Sequence, residues 1–275
     1  FGFSLGLENA IFTFQLVIQT IGKYQFQSAA NYAEVFEEFV TQYAFIETKR
    51  NAENTTPAVV NKLLTALSGE YNSLLDCTSG YGGLLHYANL KNSDSKLFGI
   101  ELNQAIFEIQ QLRFAFEKNM NSIRKDALSQ NLNNLLKTDI VAMVPPFSMS
   151  FNKQSVTDEQ LPFGKPFLNN FNFGWLQIAL NHLNKNGRAI VLLSQSTLSS
   201  HGKEMAIRKA LIEANLVESI VNLPESMMYD TAIPTSIWIL NKKKTTKAVC
   251  FIETEGLAKK VNRFNTFSDD IINSI

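Results

Sequence analysis

The spacing of hydrophobic positions changes character once along the chain. From Leu5 to Tyr43 apolar residues recur at helical intervals, as in Tyr32, Val35, Phe36, Phe39 and Val40 with glutamates between them, predicting two or three helices and no strand. A polar break follows at Glu47–Thr55. Thr56-Pro57 then reads as a helix start, with Thr56 as N-cap and Pro57 in the first helical position, for a helix over Ala58–Ser68. Beyond it short apolar runs alternate with helical patterns. Strands are expected at Asn72–Asp76, Lys96–Glu101, Ser122–Lys125, Ile140–Met143, Ala189–Ser194 and Ser219–Leu223. Helices are expected from Gly82 to Leu90, Gln104 to Lys118, Phe173 to Leu183 and Met205 to Ala214. This alternation predicts an α/β fold whose mostly parallel sheet is covered by helices on both faces. Near the end, Thr235–Leu240 and Lys247–Ile252 flank the polar stretch Asn241–Thr246, predicting an antiparallel hairpin that terminates the sheet. The expected organisation is a helical segment over residues 1–50 and one larger domain over 51–275. The loop Ser148–Asn172 is long for a compact domain, a length usually associated with function or mobility.

Composition narrows the possibilities. A chain of 275 residues with 45% hydrophobic residues can bury a sizeable core. Its 25 basic and 25 acidic residues cancel, so any polyanion would be met by a local patch or by another subunit. The stretch Ala10–Ile21 is too short and too polar for a membrane span or a secretory signal. Two distant cysteines, Cys77 and Cys250, give no disulfide framework and suggest a cytoplasmic setting. His86, His182 and His201 have no metal-ligand spacing, and no metal is expected.

Candidate chemistry gathers at the ends of the expected strands. Asp76-Cys77-Thr78-Ser79-Gly80-Tyr81-Gly82-Gly83 follows the first strand and opens a helix. Glycines there permit a tight turn and close backbone approach to a ligand. Glu101 closes the next strand, roughly 20 residues on, where an acid commonly takes the ribose hydroxyls of a nucleoside cofactor. Asp126 follows the third strand; it could accept from an adenine amino group or simply cap the next turn. Val144-Pro145-Pro146-Phe147 ends the fourth, where two prolines stop the ladder and present rigid carbonyls and an aromatic ring. His86, His182 and Trp175 lie in helical patterns and read as packing residues, and Lys242–Lys244 as a solvated hairpin tip.

Taken in order, Thr56-Pro57, Asp76 to Gly83, Glu101, Asp126 and the Pro-Pro-Phe stretch resemble the motifs of N6-adenine DNA methyltransferases. The similarity is greatest to modification subunits of type I restriction-modification systems. Asn186-Gly187-Arg188-Ala189-Ile190-Val191, Ile207-Arg208-Lys209, Asn222-Leu223-Pro224 and Ile233-Pro234-Thr235-Ser236 extend the resemblance over most of the chain. It implies a class I S-adenosylmethionine-dependent methyltransferase fold, Rossmann-like, preceded by a short helical segment. S-adenosyl-L-methionine would be held by Thr55, Thr56, Pro57, Asp76, Ser79, Gly80, Tyr81, Gly82, Glu101 and Asp126. An adenine flipped from double-stranded DNA would stack on Phe147, with Val144, Pro145 and Pro146 lining the transfer site. A separate DNA-specificity subunit would select the sequence, with room for a restriction subunit and no membrane partner.

The departures from this pattern fall in the site. Val144 replaces the asparagine whose side chain accepts from the adenine amino group. Cys77 replaces a proline, Tyr81 stands between the glycines, and Thr55 occupies a position usually aromatic. The alternative reading is therefore a catalytically inactive homologue that binds cofactor or partner proteins. A methyltransferase acting on protein glutamine or RNA ranks last, because such enzymes more often place tyrosine at the Phe147 position.

Overall fold

A computed structural model describes residues 55–115, 117–129, 136–147, 149–151, 156–229, 233–261 and 264–275. The helices expected over Leu5–Tyr43, Ser148 and the Thr231-Ala232 pair lie outside the described residues. Among the described residues there are ten strands and six α-helices. The order is α1 (Ala58–Leu67), β1 (Ser73–Asp76), α2 (Gly83–Lys91), β2 (Lys96–Glu101), α3 (Gln104–Arg113), β3 (Met120–Arg124) and β4 (Thr138–Met143). Then come α4 (Asn172–Asn181), β5 (Leu183–Ser194), α5 (Lys203–Glu213), β6 (Val217–Asn222), β7 (Thr235–Asn241) and β8 (Cys250–Glu253). The last elements are β9 (Lys259–Val261), β10 (Phe264–Thr266) and α6 (Asp269–Ser274).

Eight strands form one sheet in the order β3-β2-β1-β4-β5-β7-β6-β8, and β9 pairs with β10 in a separate antiparallel ribbon. Only β7 runs against its sheet neighbours. Central strands are buried on both faces, and their alternate side chains feed two apolar layers. Val141 and Met143 of β4, with Ala189, Val191 and Leu193 of β5, pack with Phe173, Leu176 and Ala179 of α4 and Ile207 and Leu211 of α5. Ile140, Ala142, Ile190 and Leu192 point the other way and pack with Val60, Leu63 and Leu64 of α1 and Leu84, Leu85 and Ala88 of α2. The period-two pattern thus faces helices on both sides, the doubly wound arrangement expected from sequence.

The sheet is mostly parallel and carries an antiparallel hairpin near its end, but the pairing within it differs from expectation. Thr235–Leu240 does not pair with Lys247–Ile252. β7 instead lies between β5 and β6, antiparallel to both, and β8 pairs parallel with β6. The reason is burial. Residues 235–240 of β7 are buried on both faces, so the strand needs two neighbours, whereas β8 is largely exposed and suits an edge. The hairpin is formed by β6 and β7. Smaller shifts occur elsewhere. Pro57, with φ −57° and ψ 144°, is the N-cap in place of Thr56, and its carbonyl accepts from the Val60 and Asn61 amides. α3 ends at Arg113, short of Lys118, and Asn103 caps its start by accepting from Ala105 N and Ile106 N. β5 begins early at Leu183, its register passing from Thr138–Leu183 to Ile140–Arg188.

Candidate active site

The order β3-β2-β1-β4 fixes where a ligand can lie. From β1 the chain builds outward on one side through β2 and β3, and then returns to place β4 on the other side of β1. Ligands of open α/β sheets bind at such a reversal, beyond the carboxyl ends of the strands. Asp76 ends β1, Glu101 ends β2, and Val144–Phe147 leave β4, so the expected residues converge on adjacent strand tips.

The turn after β1 is built by its own polar bonds. Asp76 is buried, and its Oδ1 accepts from Thr78 N at 2.9 Å. Burial pushes its pKa up to about 7; the Thr78 amide opposes the shift and the nearby charge of Glu101 adds to it. Ser79 donates through both its amide and its hydroxyl to Ile100 O, at 2.9 and 3.0 Å, stitching the turn to β2. Glu101 Oε2 accepts from Gly80 N at 3.0 Å, and Oε1 accepts from Asn103 N at 2.7 Å.

Three residues outside the glycine-turn motif support this turn. Gln110, fully buried on α3, donates to Ser79 Oγ at 2.6 Å and to Gly80 O at 3.1 Å. Arg113 donates to Tyr81 O at 2.7 Å. Asn61 of α1 donates to Thr56 O at 3.2 Å, and its amide nitrogen would lie 2.6 Å from any Cβ at position 83. Asn61 thereby couples Thr56-Pro57 to the glycine turn. The available signal was a polar residue on the buried face of each helix, beside Val60 and Leu64 for Asn61 and beside Ile106 and Ile109 for Gln110.

Gly82 is the position where glycine is obligatory. Its φ is +79°, and a Cβ there would stand 2.5 Å from the Phe114 ring. Gly82→Ala should cost about 2–4 kcal/mol from the left-handed backbone and the overpacked ring together. Urea denaturation of the variant beside the parent checks this, an unchanged midpoint being the contrary result.

The remaining expected residues take varied positions. Thr55 and Thr56 are partly exposed and Pro57 is buried. Tyr81 is largely buried. Asp126 is exposed one residue past Lys125, and its Oδ1 accepts from Leu128 N at 2.9 Å, capping the following turn. Val144 and Phe147 are half-buried and pack on the layer shared by α1 and α2; Pro145 is buried and Pro146 exposed. His182 is buried with Nδ1 3.0 Å from Leu136 O, and Trp175 packs edge-on to Phe171 at 5.4 Å. Among the described residues, no group of three or more His, Cys, Asp or Glu is placed to hold a metal, and no helix is long and apolar enough to cross a membrane.

These tips suit an adenosyl sulfonium cofactor. Each Glu101 oxygen takes one backbone amide and retains a lone pair for one of two neighbouring hydroxyls. The buried Asp76 carboxyl is the kind of acid that gains most from a cationic ligand.

The fold and these tips define a class I methyltransferase architecture. The N-6 DNA methylase family matches residues 28–275, and the chain belongs to that family. It is 29% identical over 246 residues to the HindI type I restriction enzyme methylase subunit of Haemophilus influenzae, covering 83% of this chain and 55% of that protein. It superposes on the type I restriction-modification methyltransferase subunit of Streptococcus thermophilus with TM-score 0.74 and 28% identity, covering 81% of this chain and 52% of the other. A Listeria monocytogenes protein assigned to the class I S-adenosylmethionine-dependent methyltransferases aligns with TM-score 0.63 at 17% identity, over 80% of this chain and 73% of that one, a likeness in fold alone. The chain spans about half the length of the Haemophilus and Streptococcus relatives.

Proposed function

We propose that this chain is the catalytic part of a DNA adenine-N6 methyltransferase subunit of a type I restriction-modification-like system. The observation that carries the reading is the convergence of the Asp76–Gly83 turn and Glu101 on the tips beside Val144–Phe147. S-adenosyl-L-methionine would supply an electrophilic methyl group on a sulfonium. Glu101 would hold the ribose hydroxyls, and Asp76, with the turn from Ser79 to Gly82, the charged amino-acid end. Thr55, Thr56, Pro57 and Asp126 would complete the cofactor's surroundings. Phe147 would stack on an adenine flipped from the duplex, and the Pro145 carbonyl would accept from its amino group. These residues position and stabilise charge rather than react.

Double-stranded DNA would be the substrate, and a specificity subunit would supply sequence selection, with a restriction subunit as a further partner, in the cytoplasm. Type I methylase subunits among the relatives support these partners. The division into a helical segment over 1–50 and a methyltransferase domain over 51–275 belongs to the same reading.

Val144 favours a second reading, a homologue that binds cofactor or partners and transfers no methyl group, because its side chain has no acceptor. The test is transfer of a radiolabelled methyl group to unmethylated DNA, beside cofactor binding by calorimetry. Transfer supports the first reading, binding without transfer the second, and absence of binding at millimolar cofactor opposes the first and leaves the second only as partner binding. Glu101→Gln should weaken cofactor binding about 10- to 100-fold, the loss of charge from two hydrogen bonds. An unchanged dissociation constant would remove Glu101 from the site.

A further inference from the structure

A recess stands past the carboxyl ends of β4 and β5, the rim of the sheet that also carries the candidate active site. The chain leaving β4 passes Phe147 and reaches Met149, whose carbonyl accepts from Phe171 N at 3.0 Å. Phe151 N donates to Leu168 O at 2.9 Å. Gln177, fully buried on α4, accepts from Phe163 N and donates to Gly164 O, both at 2.9 Å. These bonds hold residues 163–168 against the amino end of α5, which begins just past the carboxyl end of β5. A pocket of about 390 Å³ results, lined by Phe151, Lys165, Pro166, Phe167, Leu168 and Lys203. Phe167 and Leu168 are 41% and 46% exposed, large apolar surfaces turned to solvent.

Its chemistry combines an aromatic face with two cations. Lys203 Nζ lies 5.7 Å from the Phe167 ring centroid. Lys165 Nζ pairs with Asp158 at 2.8 Å, but the Asp158 side chain is 90% exposed, and such a pair exchanges readily for a stronger anion. In a chain of zero net charge, two lysines beside an exposed ring are a local positive platform. An aromatic face for a base with ammonium groups for the adjoining phosphate is how single-stranded nucleic acid is held without sequence preference.

We propose that this pocket binds one nucleotide flanking the target adenine, its base stacked on Phe167 and its phosphate between Lys165 and Lys203. The inference rests on the proposed DNA substrate and adds a contact point outside the transfer site. The pocket takes a nucleotide of the opened strand, where a base is free to stack, and it helps hold the strand while the target lies by Phe147.

The test uses a fluorescent single-stranded oligodeoxynucleotide carrying 5-iodouracil, titrated into the full chain at several salt concentrations and then irradiated. Crosslinks should map to Phe167 or Phe151. Phe167→Ala should weaken binding about 5- to 100-fold, and Phe167→Trp should retain it. Lys165→Gln with Lys203→Gln should lower the salt slope by about 0.7, the loss of one phosphate contact. All three substituted side chains border the pocket, so thermal unfolding and cofactor binding should match the parent. Crosslinks elsewhere with unchanged affinity would overturn the pocket while leaving the methyltransferase reading intact. So would absence of oligonucleotide binding, or polyglutamate binding with the same dependence on Phe167, which would mark an acidic peptide site. Loss of the methyltransferase reading would show separately, as failure to bind cofactor.

Discussion

Val144→Asn should raise methyl transfer to unmethylated DNA by at least about 100-fold, and by as much as about 1,000-fold, over the parent protein. The amino nitrogen of adenine is a poor nucleophile because its lone pair is shared with the ring. Two acceptors, one side chain and one backbone carbonyl, would draw its hydrogens out of conjugation and direct the lone pair at the methyl. The parent has the carbonyl of Pro145 but no side-chain acceptor at 144, and loss of one preorganised polar group at a transition state typically costs that range. Val144 packs against the layer formed by α1 and α2, so asparagine enters a half-buried position. Cofactor affinity should stay unchanged, which separates repair of chemistry from repair of binding. A single-turnover rate measured at saturating cofactor checks the effect. Equal rates in the two proteins would show that position 144 lies outside the transfer geometry.

The sheet was legible because its central strands are short, uninterrupted apolar runs set between helical patterns, as a strand covered on both faces requires. Ile140, Ala142, Ile190 and Leu192 face one helix layer, and Val141, Met143, Val191 and Leu193 the other, which is why both faces of these runs are apolar. The glycine turn was legible as a cluster, and Glu101 through its distance from it. What was hidden is non-local. Two apolar runs flanking a polar stretch specify a hairpin by local rules, yet β7 is buried throughout and inserts between β5 and β6, a pairing that no local window contains. The Thr56 cap failed for a local reason: Pro57 takes an extended ψ of 144°, placing it outside the helix and the first helical residue at Ala58. The supports of the site were hidden because Asn61 and Gln110 are ordinary helix residues until their partners, 5 and 31 positions away, are known. The recess beside Phe167 likewise depends on Gln177, whose bonds to residues 163 and 164 have no sequence signature.

Asp76 should cost the apo protein stability as pH rises from about 4 to 7, and Asp76→Asn should remove that part of the slope. Asp76 is buried, and burial raises its pKa to about 7 from an ordinary 3.8. Between these values the folded protein keeps a proton that the unfolded chain releases, so each unit of pH in that window favours unfolding. Above pH 7 the full penalty, about 4 kcal/mol, is present; below the ordinary value it vanishes. The variant carries no ionisable group there and should exceed the parent in stability at pH 8 by up to that amount. Urea unfolding of both proteins across pH 4–8 isolates Asp76 by difference. The comparison is needed because His182, whose burial lowers its pKa, pulls oppositely, gaining stability as pH rises through its ordinary 6.5. The same acid gives the cofactor a pH dependence. A cationic amino-acid end would bind the ionised carboxylate, so affinity should fall toward tenfold per unit as pH drops below about 7 in the parent and stay flat in Asp76→Asn. Parallel slopes in both proteins would place the titrating group elsewhere and release Asp76 from the cofactor's charged end.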